Sequence, residues 1–217
     1  MATHAPTRIT RSQRAELLRG IYVILNEDNE MLERARAVLD AGVRILQYRA
    51  KGSIVAPHLR SLRELTRERD ALLIMNDDWR SAAAYECDGV HLGRDDDGFS
   101  KVATVRAALP RALIGLSCGS IEEVVHANAE DADYLGVGSV YATPTKLDAG
   151  EPIGIDGLCR LARATTIPIA AVGGITLATV SRVRTSGVAM AAVISAIADA
   201  ADPNRAARDL IARWHAA

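Results

Sequence analysis

The chain has 217 residues, 49% of them hydrophobic, with 26 basic against 27 acidic side chains and a formal net charge of -1. That is enough apolar material for one large core, and the balanced charge excludes a general attraction to nucleic acid or anionic membrane, so any cationic function must be local. No run approaches the ~20 apolar residues that span a bilayer, the arginine-bearing start lacks the apolar centre of a secretory signal, and Cys87, Cys118 and Cys159 fit neither a disulfide framework nor a zinc spacing, which together predict a soluble cytoplasmic protein with reduced thiols.

After a polar start with a short helix predicted over residues 11–19, one unit repeats: a short apolar run, then an amphipathic stretch. The run 21–25 precedes a helical pattern over 29–41, with Met31, Ala35, Val38 and Leu39 on one face and Gly42 as its stop. Strand 43–48 leads to a helix marked by Leu59, Leu62 and Leu65, and strand 72–75 to a helix over 78–85. A short strand at 88–92 is followed by the polar loop 93–98 and a helix near 102–109. Strand 112–116 leads to Ser120-Ile121-Glu122-Glu123, a capping box that starts the fifth helix. Strand 134–137, the long loop 138–155, a helix over 156–164, strand 167–172, a helix over 176–186, strand 188–194 and a C-terminal helix complete the series.

Eight strand-then-helix units with nearly continuous apolar strands predict a (β/α)8 barrel, residues 21–217, in a single domain behind a short N-terminal extension, residues 1–20. The structural alternative is an open doubly wound sheet, which would carry a glycine-rich loop after strand one; Leu25-Asn26-Glu27-Asp28-Asn29 has no glycine.

Barrel enzymes build their sites from residues just after each strand. In strand two, alternation puts Gln47, Arg49 and Lys51 on one side and Tyr48 and Ala50 on the other, so three donors point one way with no carboxylate among them. A guanidinium beside an ammonium suits phosphate oxygens; solvated basic residues at a frayed strand end are the plainer reading. Asn76-Asp77-Asp78 and Asp95-Asp96-Asp97 follow neighbouring strands and suit a hard cation such as Mg2+, while each is also a plausible helix cap or solvated turn. Gly173-Gly174 and Ser195 fit the phosphate site after strands seven and eight, although two glycines also serve a tight turn. Thr143, Thr145 and Lys146 add two hydroxyls and a third cation, again on a loop that an ordinary exposed turn would explain.

The series Gln47-x-Arg49-x-Lys51, Asn76-Asp77, Asp88-Gly89-Val90-His91-Leu92-Gly93, Gly136-Val137-Gly138, Thr143-Pro144-Thr145-Lys146, Gly173-Gly174-Ile175 and Ile194-Ser195-Ala196-Ile197 resembles the thiamine phosphate synthase family in both content and order. The resemblance implies a barrel that joins 4-amino-2-methyl-5-hydroxymethylpyrimidine diphosphate to a thiazole phosphate, forming thiamine phosphate and releasing diphosphate with Mg2+. Carried over residue by residue, Gln47, Arg49, Lys51, Asn76 and Lys146 would hold the pyrimidine diphosphate, and Asp77 and Asp96 the metal. Ser117 would sit beside the pyrimidine, and Thr143, Thr145, Gly174, Ile194 and Ser195 would receive the thiazole phosphate. Catalysis would fall to Arg49, Lys51 and Lys146, which stabilise the leaving group, and to Ser117.

This chain departs from the family pattern at Ala50 for a common Glu, Arg94 for a common Gln, Cys118-Gly119 for Thr or Ala followed by His, and Ala142 for Pro. The related thiazole tautomerases use the histidine that is missing at 119; a tautomerase-like enzyme and a non-catalytic thiamine phosphate-binding relative are the alternatives. Substrates are expected to be small molecules, with no nucleic acid or membrane partner, and a homodimer rests on the base rate for soluble oligomers alone.

Overall fold

The computed structural model describes residues 10–143 and 151–217. Within them β1 (Gly20–Asn26), β2 (Ile45–Arg49), β3 (Leu72–Asn76), β4 (Gly89–Leu92), β5 (Leu113–Cys118), β6 (Tyr134–Val137), β7 (Ile169–Val172) and β8 (Met190–Val193) pair in sequence order, all parallel, and β8 closes on β1. Around them run α1 (Arg11–Ala15), α2 (Met31–Asp40), α3 (Ala56–Glu68), α4 (Trp79–Ala84), α5 (Val102–Ala108), α6 (Ile121–Ala129), α7 (Gly154–Ala162), α8 (Val180–Thr185), α9 (Ser195–Ala198) and α10 (Pro203–His215). The architecture is the (β/α)8 barrel that the repeated units predict.

Strand alternation separates two cores. Leu46, Leu73, Val90, Ile114 and Leu135 face outward into the layer shared with the helices, all with 0% exposure, which is worth ~2 kcal/mol each in apolar burial. Ile45, Leu72, Leu113 and Met190, the first residues of their strands, pack inward as a floor, with Tyr22 and Tyr134 in the same inner cluster. Helix boundaries follow the local chemistry. Thr10 and Gln13 form a capping box at α1, and Ser120 and Glu123 form the one foreseen at α6.

The first helix is shorter than predicted because the apolar residues after it have a different task. Past Ala15 the chain leaves the helix, Leu18 packs into the inner cluster at 4% exposure, and Gly20, at φ 87°, turns into β1. The segment therefore closes the floor of the barrel. Strand β7 also starts later than predicted: Pro168 has no N–H to give the ladder, though its carbonyl accepts from Leu135 N at 2.9 Å.

Ion pairs fasten this floor. Asp88, with 6% of its side chain exposed, accepts from Arg14 Nε at 3.0 Å, from Leu73 N at 3.0 Å and from Arg63. Asp133 accepts from Arg11 Nε at 2.6 Å, Arg106 Nη2 at 2.6 Å and Ile114 N at 2.8 Å. Both carboxylates stand just before a strand and satisfy backbone donors as well as guanidinium groups. Removing Asp88 would take the shared carboxylate from two half-buried guanidinium groups and from the Leu73 N–H, so Asp88→Ala is expected to cost about 3 kcal/mol in urea denaturation. Asp97→Ala, which breaks exposed pairs with Arg80 and Lys101, should leave the midpoint nearly unchanged.

Candidate active site

Parallel strands deliver all their C-terminal ends to one side of the barrel, and there a cavity of about 480 Å³ opens. Its lining draws on residues of all eight strands, with Tyr22, Tyr134, Ala170 and Ala192 as the floor.

Strand β2 supplies the cationic side. Gln47 and Arg49 line the cavity, whereas Tyr48 and Ala50 pack outward against the helical layer. The alternation extends only as far as the strand does, and Lys51 lies two residues beyond it, exposed and outside the cavity wall. Gln47 is buried at 2% exposure and its Nε2 donates to Tyr22 OH at 2.8 Å. Arg49 donates from Nη1 to Asn26 Oδ1 at 3.2 Å, and among the described residues no carboxylate pairs with it. A guanidinium held in a cavity with only an amide partner is a binding group for an anion.

The next strands in order, β3 and β4, supply the carboxylates. The helix cap that Asn76-Asp77-Asp78 predicts falls to Asp78 alone, which accepts from the Arg80 and Ser81 amides, both at 3.0 Å. Burial opposes its charge, but those amides and the Ser81 hydroxyl outweigh it and hold the carboxyl below its usual value. Asp77 lines the cavity. Its φ of 65° is a left-handed conformation that a non-glycine residue adopts at a cost, and its N–H donates to His91 O at 2.8 Å. In the other acidic run, Asp95 and Asp96 line the cavity, Asp96 accepting from Gly93 N, while Asp97 turns away to Arg80 and Lys101, which pull its carboxyl down to about 2. Among the described residues no group of three or more His, Cys, Asp or Glu side chains forms a ready metal cage. Two carboxylates, one amide side chain and open cavity on the far side fit a hard cation that takes its remaining oxygens from substrate and water, as Mg2+ does.

Ser117, Thr143, Gly174, Ile194 and Ser195 all border the same cavity; Thr145 and Lys146 lie outside the described residues. The glycines after β7 have a steric reason too. Gly173 and Gly174 have φ of 100° and 63°, and a Cβ on them would sit 2.0 Å from Ser139 Oγ and 2.6 Å from Ala142 O. The tight-turn reading of Gly173-Gly174 holds, and both glycines also line the cavity.

Two departures from the family pattern are one local rearrangement. Arg94 is clasped by Glu123 through Nε and, at 2.8 Å, through Nη2, and Glu123 also accepts from Gly119 N. A Cβ at Gly119 would lie 2.6 Å from Arg94 Nη2. Arg94 thus uses the space that a larger residue at 119 would need, and it lines the cavity with its charge matched by Glu123.

Sequence reasoning passed over His91, Tyr22 and Tyr134 as site residues. His91 bonds to Tyr134 OH and Ser117 Oγ, and all three line the cavity with Tyr22. The available signal was polar residues at inward positions of apolar strands, His91 in Val90-His91-Leu92 above all.

The known proteins that this chain resembles carry the same assignment. Residues 21–197 match the family model described as thiamine monophosphate synthase. The chain belongs to that family. It is 44% identical over 182 residues to the thiamine-phosphate synthase of Archaeoglobus fulgidus, covering 82% of this chain and 84% of that one. With the thiamine-phosphate synthase of Chloroflexus aurantiacus it shares 39% identity over 197 residues, 88% of this chain and 90% of the other. The solved structure of thiamine phosphate pyrophosphorylase from Pyrococcus furiosus superposes with a TM-score of 0.84 at 34% identity, covering 93% and 98% of the two chains. The protein is accordingly an enzyme of the thiamine-phosphate synthase type, a transferase of thiamine biosynthesis.

Cys118, the one thiol lining the cavity, is no nucleophile in this setting: burial, then the nearby Glu123 charge, pushes its thiol up to about 12. Cys118→Ser is expected to keep product formation within about 3-fold of the unmodified enzyme, against the ~10⁴-fold or greater loss that removal of a nucleophile brings. Steady-state assay of the purified variant checks this.

Proposed function

We propose that the enzyme condenses 4-amino-2-methyl-5-hydroxymethylpyrimidine diphosphate with thiazole phosphate by a dissociative route that releases diphosphate. The observation that carries this reading is the cavity itself, with Arg49 unmatched by any described carboxylate on one side, Asp77 and Asp96 on the next strand ends, and Gly174 and Ser195 opposite.

In this reading the diphosphate lies between Arg49 and Asn76, with Lys51 and Lys146 as further cations for it. Asp77 and Asp96 would hold Mg2+, which when bound neutralises diphosphate oxygens and so favours departure of the leaving group. The bond from the pyrimidine methylene carbon to the diphosphate oxygen breaks, and its electron pair leaves with the oxygen. The methylene cation, delocalised into the aminopyrimidine ring, is captured by the thiazole nitrogen lone pair, forming the carbon–nitrogen bond. No side chain is alkylated. The chain's own contribution is to position both rings and to stabilise the departing charge, the latter worth ~3 kcal/mol per well-placed group. Ser117 contacts the pyrimidine, and Thr143, Thr145, Gly174, Ile194 and Ser195 receive the thiazole phosphate. The three free thiols support a reducing, cytoplasmic setting.

Incubating the purified enzyme with both substrates and Mg2+ should yield thiamine phosphate and diphosphate in equal amounts, and chelation of the metal should stop the reaction. Asp77→Ala and Asp96→Ala are each expected to lower kcat/KM by ~10²-fold or more. Undiminished turnover in both variants would remove the metal assignment, and absence of thiamine phosphate would remove the substrates.

A further inference from the structure

The loop after β2 has few fastenings of its own. Between Arg49, the last residue of the strand, and Val55, the N-cap of α3, run Ala50, Lys51, Gly52, Ser53 and Ile54. Among the described residues no hydrogen bond holds the backbone of this segment. Ala50 and Ile54 pack, partly buried, against the layer shared with the helices, and Lys51, Gly52 and Ser53 between them are exposed. The place of Lys51 is therefore set by whatever ties down the two ends.

Both ends are tied by residues outside the loop. At the near end Glu27 N donates to Arg49 O at 2.8 Å. At the far end α3 has no side-chain cap of its own, and the Val55 N–H donates to Tyr48 OH at 3.1 Å. The first turn of α3 also presents His58, whose Nδ1 lies 2.6 Å from Glu27 Oε1. Burial and then the Glu27 carboxylate raise the Tyr48 phenol above its usual pKa, which leaves it a neutral hydroxyl. A negative charge at the first turn of a 13-residue helix is favoured by the helix dipole as well.

Packing alone does not account for these side chains. Tyr48 has 0% exposure and the Glu27 side chain 11%, and a polar atom buried that far costs stability unless it is used. Here it is used on the start of α3 and so on the end of the loop. Consecutive residues at the end of β1 thereby divide the cationic side of the site: Asn26 Oδ1 accepts from Arg49 Nη1 at 3.2 Å, and Glu27 serves the loop that carries Lys51. Tying both ends of a short loop before a ligand arrives removes part of the ordering cost that a lysine on a loose loop would meet on binding.

We propose that Glu27, Tyr48 and His58 are positioning residues that fasten the 50–54 loop at both ends and so hold Lys51 within reach of an anion bound beside Arg49. That the anion is the diphosphate of the pyrimidine substrate rests on the substrate reading given above; the fastening of the loop does not.

Two measurements test it. In the substrate-free enzyme, hydrogen–deuterium exchange over residues 50–58 should quicken ~5-fold or more in Tyr48→Phe and in Glu27→Ala, with β3 and β6 unchanged; unchanged exchange over 50–58 overturns the fastening. Calorimetric titration with inorganic diphosphate and Mg2+ should then find binding about 5-fold weaker in Tyr48→Phe, in Glu27→Ala and in Lys51→Ala. Adding Tyr48→Phe or Glu27→Ala to Lys51→Ala should weaken it further by less than about 2-fold, because the fastening acts only through that lysine. An equal loss with and without Lys51 would make the anchoring residues merely structural and overturn the proposal, as would normal diphosphate binding by Lys51→Ala. In steady-state assays Tyr48→Phe should raise KM for the pyrimidine diphosphate and leave KM for the thiazole phosphate within about 2-fold; an equal rise in both overturns the proposal too. His58→Ala releases the same end from a half-buried position and serves if Tyr48→Phe does not fold. Lys51-dependent losses of diphosphate binding in an enzyme that makes no thiamine phosphate would remove the substrate reading and leave the positioning, whereas normal turnover with equal losses in both backgrounds would remove the positioning alone.

Discussion

The inner face of a closed parallel barrel is the constraint on which the rest of this structure depends. Eight strands leave just enough interior for side chains to fill, so a large inward residue on one strand requires a small one beside it. Here the register of β5 against its two neighbours supplies the small ones. Gly115 sits between His91 and Tyr134, and Ser117 faces Gly136. Aliphatic packing occupies the lower interior, and the two phenols mark the level at which the filling turns polar and the cavity begins.

The two ends of the barrel treat charge in opposite ways. At the floor Arg11, Arg14, Arg63 and Arg106 are matched to Asp88 and Asp133, carboxylates that also take backbone N–H groups. At the mouth Arg49 has an amide for a partner, and the cap of α4 falls to Asp78. Stability is built where the cations are paired, and binding capacity where they are not. Arg94, a second guanidinium in the cavity wall, is matched there by Glu123.

How far the sequence was readable depended on how local each cause was. Apolar runs, the capping box at Ser120, the stop at Gly42 and the outward face of Ala50 depend on neighbours within a few residues, and their expected places match the structure. Lys51 was assigned by extending strand alternation past the point where β2 ends, and nothing in the residue pattern marks that end. The acidic run Asp95-Asp96-Asp97 divides between cavity and surface because Arg80 and Lys101 claim its last member, a choice made by helix geometry that charge alone does not express. His91, Ser117 and Tyr134 meet only through strand register, and the clasp of Arg94 on Glu123 spans 29 residues of chain; neither pairing leaves a local trace.

The floor contacts also bear on the order in which the fold assembles. Arg14 meets Asp88 across 74 residues and Arg11 meets Asp133 across 122, so the first helix cannot lock until β4 and β6 exist for it to lock onto. The earliest part of the chain is therefore among the last to dock, because its contacts carry the largest loop-closure cost and bring no reward until the barrel is nearly closed. Bonds made that late are largely absent from the folding transition state, and they act as a brake on opening rather than as a guide to closing.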